Sequence, residues 1–424
     1  MFYKMKNVGK NINEKQSFQH LVFKLKKRLG EKQRMKQVYL DYAASTPVDP
    51  DVVTAMIPYF SEIYGNPSST HSHGQKAVEA VENARKQVAN CFNIPPETIL
   101  FTSGGTEADN LALKGIAFQH LPKDLGDGPH IITSTIEHPA VLQTCKQLEA
   151  YGYSIAYIPV DETGLINLDT LEETITDDTL LISIMYANNE IGTIEPVKEI
   201  GKIAHKHNVL FHTDAVQAVG KIPIDLSTLP IDLLSLSSHK IYGPKGVGAL
   251  YHNSDITFDP LLQGGGHEQG KRSGTLNTPG IVGLGKACEL SQKRLTKDTT
   301  RLQKLRDYFI KQFDEIEAST LNGHHKQRLI NNIHFRFEGV EGNALHSMLD
   351  EKGISMATGS ACSSEKIQAS HVLLALGLTP EQAISSARFT IGRLTTKEEL
   401  DYALPIIKES INHLRSISPL WKTK

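Results

Sequence analysis

Asp232-Leu-Leu-Ser-Leu-Ser-Ser-His-Lys-Ile-Tyr-Gly-Pro-Lys-Gly-Val-Gly-Ala-Leu-Tyr251 carries two short apolar runs, Asp232–Leu236 and Val247–Tyr251. Only about ten residues lie between them, whereas a parallel crossover needs about a dozen or more, usually including a helix. The pair is therefore expected to be antiparallel. Upstream, the apolar runs Ile99–Thr102, Ile131–Ser134, Ser154–Ile158, Leu180–Met185 and Val209–Thr213 alternate with helical patterns such as Ala77, Val81, Ala84, Val88 and Phe92, or Val141, Cys145 and Leu148. Strand–helix alternation of this kind predicts an α/β domain around a mostly parallel sheet of seven strands.

Downstream the alternation starts again. A charged helix is expected from Gln292 to about Ile316. It is followed by strand Ile330–Phe337, helix Asn343–Lys352, a loop Ala357–Ser364, strand Ala387–Ile391 and helix Lys397–Arg415. This reads as a large domain over 50–292 and a smaller α/β domain made of 38–49 and 293–424.

Composition narrows the function classes. The 424 residues are 39% hydrophobic and 22% charged, with 32 Gly and 19 Pro, which excludes collagen-like, disulfide-scaffold and wholly disordered chains. No apolar run approaches the roughly 20 residues of a membrane span. The cysteines at 91, 145, 288 and 362 show no CxxC spacing, so no zinc or disulfide framework is expected and a reducing, cytoplasmic setting is the default. The formal charge of −2 hides an asymmetry: residues 1–37 carry eleven Lys/Arg and two acids. That segment reads as a disordered or non-native extension, with a nucleic-acid arm and a transit peptide as the alternatives, and Met35 could be the true start.

Four places could carry chemistry. Thr102-Ser-Gly-Gly-Thr106 follows a strand and opens a helix, where glycines let backbone N–H groups approach a phosphate; a tight turn with a Thr cap is the bland alternative. Asp214 falls beyond an apolar strand, where open α/β sheets bind ligands; it could equally cap a helix. Lys240 follows the strand of the opening stretch, and a semi-buried lysine with a lowered pKa forms Schiff bases, although an exposed loop lysine would look the same. Gly359-Ser-Ala-Cys362-Ser-Ser surrounds a thiol with small residues, as an accessible, reactive cysteine requires. Cys91, Cys145 and Cys288 sit in helical patterns and read as packing residues. His71-Ser-His73 lacks further metal ligands, Gly266-His267-Glu268 is not HExxH, and Gly243–Gly248 leads into a strand and reads as a turn; no metal is expected.

Together these residues resemble the pyridoxal-phosphate enzymes of the class V aminotransferase fold (fold type I), and more narrowly the housekeeping cysteine desulfurases of the NifS/IscS type. The likeness spans Val38 to Trp421. Its motifs are Tyr39-Leu-Asp-Tyr-Ala-Ala, Gly65-Asn-Pro-Ser-Ser, Thr102-Ser-Gly-Gly-Thr-Glu, Glu137-His138, Asn188-Asn-Glu-Ile-Gly192, His212-Thr-Asp-Ala-Val-Gln217, Ser238-His-Lys-Ile-Tyr-Gly-Pro-Lys-Gly, Arg272-Ser-Gly-Thr-Leu and Gly359-Ser-Ala-Cys-Ser. The resemblance implies that Lys240 holds pyridoxal 5'-phosphate and moves the substrate α-proton, and that Asp214 faces the ring nitrogen. His138 stacks on the ring as acid/base, and Asn189 and Gln217 address the ring oxygen or the substrate. Gly105, Thr106, Ser237 and His239 hold the phosphate, with Thr275 reaching it from the partner of a homodimer. Arg388 clamps the carboxylate of L-cysteine, and Cys362 takes the sulfur as a persulfide for an iron–sulfur scaffold or a tRNA-thiolation enzyme. Two stretches bear on these expectations: Ser364–His371 departs from the family's small-residue and proline pattern, and Ser418-Pro-Leu-Trp421 matches a tail that in the family helps dock a scaffold.

Three rivals are weighed: another enzyme of the fold (an aminotransferase or selenocysteine lyase), a nucleic-acid binder using the basic segment, and a silent scaffold. An aminotransferase has no use for Cys362, and the complete set Lys240, Asp214, His138 and Cys362 argues against a scaffold. No direct nucleic-acid contact is expected.

Overall fold

The structure, a computed structural model, describes residues 36–122, 128–358, 362–363, 366–367, 369–419 and 421, with the backbone alone at 362–363 and 366–367. Seven strands form the main sheet: β1 (Ile99–Thr102), β2 (His130–Ser134), β3 (Ser154–Ile158), β4 (Thr179–Ser183), β5 (Leu210–Asp214), β6 (Leu233–Ser237) and β7 (Gly248–His252). Their order is β1-β7-β6-β5-β4-β2-β3. Only β7 runs antiparallel to its neighbours, pairing Leu236 with Ala249 and Ser237 with Gly248 on one side and Thr102 with Gly248 on the other. The antiparallel pairing expected from the short connection is therefore present. Most of these strands are buried along their whole length, which is why they read as unbroken apolar runs rather than alternating ones. The half-exposed β3 forms one edge. The other edge, β1, is covered: Phe101 N donates to Glu268 Oε2 at 2.8 Å.

Helices α1 (Ser72–Asn90), α2 (Gly105–Ala117), α3 (Pro139–Ala150) and α4 (Val197–Lys206) pack on this sheet. A second, antiparallel sheet has the order β10-β11-β9-β8, built from β8 (Ser319–Leu321), β9 (Asn332–Phe337), β10 (Ala357–Thr358) and β11 (Ser386–Thr390). Its core gathers Phe309, Phe313, Phe335, Phe337 and Phe389.

Two findings concern how the sheets are joined. The helix expected from Gln292 starts at Thr278 and runs unbroken for 37 residues to Asp314 as α5. Asn277 caps it, with its Oδ1 accepting from Gly280 N at 3.1 Å, and Pro279 occupies the first turn. The glycines that hid its first turns allow close packing: a Cβ on Gly285 would lie 2.7 Å from Ala84 Cα, and one on Gly283 would lie 2.8 Å from Pro244 Cδ. Ile281, Leu284 and Cys288 enter the first core, while Leu302, Phe309 and Phe313 enter the second. The boundary expected between 292 and 293 thus falls inside one helix.

The segment Val38–Asp49 touches both sheets. Val38–Tyr39 pairs in parallel with Ile354–Ser355, and Tyr42 N donates to Thr390 O. Thr46 N then donates to His239 O and Asp49 N to Tyr242 O, both at 2.9 Å. Of the basic extension, residues 1–35 lie outside the described residues. Lys36 does not stand free of the body: its Nζ donates to Glu398 O at 3.2 Å and sits over the Tyr402 ring. No helix among the described residues is long and apolar enough to cross a membrane.

Candidate active site

The carboxyl ends of β5 and β6 open into a cavity of about 330 Å³. Its lining includes Gly105, Thr106, His138, Asn189, Asp214, Gln217, Ser237, His239, Lys240 and Arg388. The fold thus brings together ten of the residues singled out in the sequence. Thr275 is exposed and does not line the cavity. The side chain of Cys362 lies outside the described residues, as do Gly359, Ser360, Ala361 and Ser364. The backbone of Cys362–Ser363 pairs antiparallel with Lys366–Ile367. That loop leaves β10, whose Ala357 and Thr358 pair with Arg388 and Ala387. It returns at Ser370, whose Oγ donates to Glu190 Oε2 at 2.5 Å and caps helix His371–Ala375.

Lys240 ends a single 3-10 turn, Ser238–Lys240, directly after β6. Its Nζ donates to the carbonyls of Ala43 at 2.5 Å and Ala44 at 2.9 Å. Burial, with the nearby Arg388 guanidinium, lowers its pKa to about 8, against the opposing pull of Asp41 and Asp214. Asp214 is the last residue of β5. Burial raises its pKa, while a bond from Val216 N at 2.8 Å, His138 and Lys240 favour the carboxylate. The helix-capping alternative considered for Asp214 is not what the bond makes: among the described residues no helix lies between β5 and β6, and Asp214 accepts from Val216 N within a turn while standing on the cavity wall.

His138 caps α3, with Nδ1 accepting from Ala140 N at 3.1 Å. Burial lowers its pKa, so the neutral ring with its proton on Nε2 is favoured. His239 Nδ1 lies 3.3 Å from Ser45 Oγ, and burial brings its pKa down to about 4. Arg388 reaches in from β11, donating from Nη1 to Asn189 O and from Nη2 to Asp41 Oδ1, each at 2.9 Å. Gln217 Nε2 donates to Ala43 O at 3.0 Å, while its buried Oε1 has no hydrogen-bond partner among the described residues.

Gly105 and Thr106 open α2 behind Gly104. Gly248 sits directly beneath: a Cβ there would lie 2.7 Å from Gly104 C and 2.6 Å from Leu236 O. Beside this N-terminus, Glu107 accepts from Arg272 Nε at 2.7 Å and from Ser103 N at 2.7 Å, strapping the segment of Arg272 to the start of α2.

Sequence reasoning gave no role to the Ala43 and Ala44 carbonyls, to Asp41 beside Arg388, or to Asp109 on the cavity lining. Only Asp109 carried a usable signal, as an acid one helical turn beyond Gly105. The decoys fall elsewhere: His71 caps α1, with Nδ1 accepting from Gly74 N, and Gly243–Gly248 is a turn. Cys145 and Cys288 are fully buried packing residues, with burial pushing Cys145 to about 12, while Cys91 is half-buried at the end of α1.

A lysine just past the carboxyl end of a central strand of a mostly parallel sheet, sharing one cavity with a carboxylate and a helix N-terminus, defines a class of site. The family model for class-V aminotransferases matches residues 38–403. A cysteine desulfurase IscS from Methanosarcina thermophila is 50% identical over 91% of this chain and 94% of its own length, and one from Dictyoglomus turgidum is 49% identical over 91% and 98%. A solved structure described as a NifS-like protein superposes with a TM-score of 0.83 at 38% identity, over 89% of this chain and all of that one. The chain belongs to the class-V aminotransferase family, and within it to the cysteine desulfurases.

Enzymes of this family depend on pyridoxal 5'-phosphate, and the residues present fit it. Lys240 is a buried amine of lowered pKa, the N-terminus of α2 is bare of side chains at Gly104 and Gly105, and the unpartnered Gln217 Oε1 leaves an acceptor for a polar group.

Proposed function

We propose that this cysteine desulfurase carries pyridoxal phosphate on Lys240, converts L-cysteine to L-alanine, and takes the sulfur onto Cys362 as a persulfide. The C–S bond of the substrate breaks and an S–S bond to Cys362 forms. Carbon is reduced, sulfur is oxidised to the sulfane level, and no outside oxidant is needed. The observation that carries the reading is the Lys240 amine, held at about 8 in a cavity that also contains Asp214, His138 and Arg388.

When bound, pyridoxal phosphate supplies an electron sink for the substrate α-carbon. The protein's residues do the rest. The first N–H groups of α2, at Gly105 and Thr106, hold the phosphate with the Ser237 and His239 side chains. Asp214 keeps the ring nitrogen protonated. Asn189 and Gln217 fix the ring oxygen and the nearby substrate. Arg388, already oriented by Asp41 and the Asn189 carbonyl, binds the substrate carboxylate through its fork. Lys240, whose buried amine has a lowered pKa, would move the α-proton. His138, neutral and presenting Nε2–H, supplies and accepts the protons that accompany departure of the thiol.

Only a thiolate is suited to attack sulfur here. Cys362 is four residues past Thr358, a reach of at most about 14 Å of extended chain from the strand beside Arg388. Its loop is anchored at both ends, by β10 and by Ser370 on Glu190.

We further propose a homodimer in which Thr275 completes the partner's phosphate site, a cytoplasmic setting that keeps Cys362 reduced, and a sulfur acceptor that is an iron–sulfur scaffold or a tRNA-thiolation enzyme. The test is Cys362→Ser. The variant should keep its cofactor and still perturb the cofactor spectrum on adding cysteine, while losing persulfide and sulfide release at least a hundredfold. Alanine formation at an undiminished rate would replace the covalent carrier with a lyase mechanism, and a keto-acid product would make the enzyme an aminotransferase.

A further inference from the structure

A second acid lies in the cavity wall beside Asp214. Asp109 sits one turn into α2, is 1% exposed, and lines the cavity. Its Oδ1 has no hydrogen-bond partner among the described residues. His212 Nε2 is 3.8 Å away, too far for a hydrogen bond. That ring is already engaged, with Nε2 at 3.0 Å from Ser235 Oγ and Nδ1 at 2.8 Å from Ser183 Oγ.

None of the groups facing Asp109 is a cation. From β5 come Asp214 and His212, and burial drives His212 down to about 3, so its ring is neutral. From the turn after β2 comes Glu137, another acid, and β6 contributes the Ser235 hydroxyl. The basic neighbours Lys240 and His138 bear on Asp214 instead. A carboxylate stripped of water, with two acids beside it and no cation, keeps its proton.

We propose that Asp109 is a positioning residue that acts through its proton: it stays a neutral acid beside Asp214, so that the buried pair carries one negative charge and that charge rests on Asp214. The inference rests on the pyridoxal-phosphate reading for its purpose, because one negative charge matches one protonated ring nitrogen. Two charges would press Asp214 to take up a proton and lose its hold on that nitrogen.

The test is an infrared difference between wild type and Asp109→Asn in heavy water, between about pH 7 and pH 8.5, with and without cofactor. Asn copies the shape of the neutral acid and has no acidic proton. The wild type should show a protonated carboxylic acid C=O band that the variant lacks. The variant should also bind cofactor at full stoichiometry, with no shift in the pH midpoint of its absorbance. Loss of carboxylate bands instead, or a midpoint moved by about one pH unit or more, would show Asp109 ionised and overturn the proposal. If Asp109→Asn does not fold, Asp109→Leu permits the same subtraction. A wild-type protein that takes up no pyridoxal phosphate would sink the functional reading, while the apoprotein spectra still decide the protonation of Asp109.

Discussion

At the scale of single residues, burial rather than any one partner sets the chemistry. Lys240 is drawn down to about 8 chiefly because its amine is out of water. A raised or lowered pKa has a readable sign. The amine is neutral above about 8, and only the neutral amine attacks an aldehyde. The rate at which apoprotein takes up pyridoxal phosphate should therefore climb to about pH 8 and then level off. Stopped-flow absorbance from pH 6.5 to 9.5 checks this; a rate still climbing at pH 9.5 would mean a lysine of ordinary basicity. Lys240→Ala should take up the cofactor without forming a borohydride-reducible bond. Glu137 shows the opposite case. It is buried, accepts from Ser134 Oγ at 2.6 Å and Met185 N at 2.9 Å, and burial raises it to about 8. Its folded-state pKa exceeds the unfolded value, so the stability it contributes is full below about 4.5 and is lost as pH rises toward about 8. Glu137→Gln should match wild type in thermal midpoint near pH 4.5 and exceed it near pH 8.5. Parallel melting profiles would show that Glu137 does not govern the trend.

At the scale of elements, the proposed phosphate cup at the N-terminus of α2 is a matter of close approach. Because a Cβ at Gly248 would meet the Gly104 backbone, Gly248→Ala should push the N-terminus of α2 off its seat without touching any bound group. We expect a loss of about 1–3 kcal/mol in stability and a cofactor Kd raised at least tenfold, read by equilibrium titration of apoprotein. An unchanged Kd would show that the cup tolerates the shift. The same geometry explains what could be read in advance. The strands were legible because sheets buried on both faces are continuously apolar, and the antiparallel β6–β7 pair followed from a connection too short for a helix. The first turns of α5 were not legible. Gly280, Gly283 and Gly285 look like helix breakers in a linear sequence, and only the contacts explain them: Gly280 with the capping Asn277, Gly283 with Pro244 and Gly285 with Ala84. The start of β5 shifted by one residue for a different reason: Asn208, at φ 57°, completes the preceding turn before the strand begins.

At the scale of the whole molecule, chemistry depends on parts far apart in sequence. Motif residues such as Lys240 and Asp214 could be read because strand ends in α/β sheets point at ligands. The Ala43 and Ala44 carbonyls could not, because any residue can present a carbonyl and only the crossing of Val38–Asp49 between the sheets brings these two to Lys240. Thr275, which is exposed, gives the proposed dimer a sharp test. Thr275→Ala homodimers should bind cofactor weakly and Lys240→Ala homodimers should be inactive. A mixed dimer should regain one site of wild-type affinity, because the Thr275→Ala protomer borrows the threonine of its partner. Recovery of no such site would put Thr275 in its own protomer's service. A last consequence follows from α5, which at 37 residues is a spar of about 55 Å with one end rooted in each core. Lys240, just past β6, and Arg388, on β11, are carried by different sheets riveted to that spar, so the gap between the proposed base and the proposed carboxylate clamp is set like the jaws of a fixed-gauge caliper. The enzyme cannot be taken apart into interchangeable modules: a cut or graft at the middle of the spar would leave each half a dangling stump of helix and let the gauge drift.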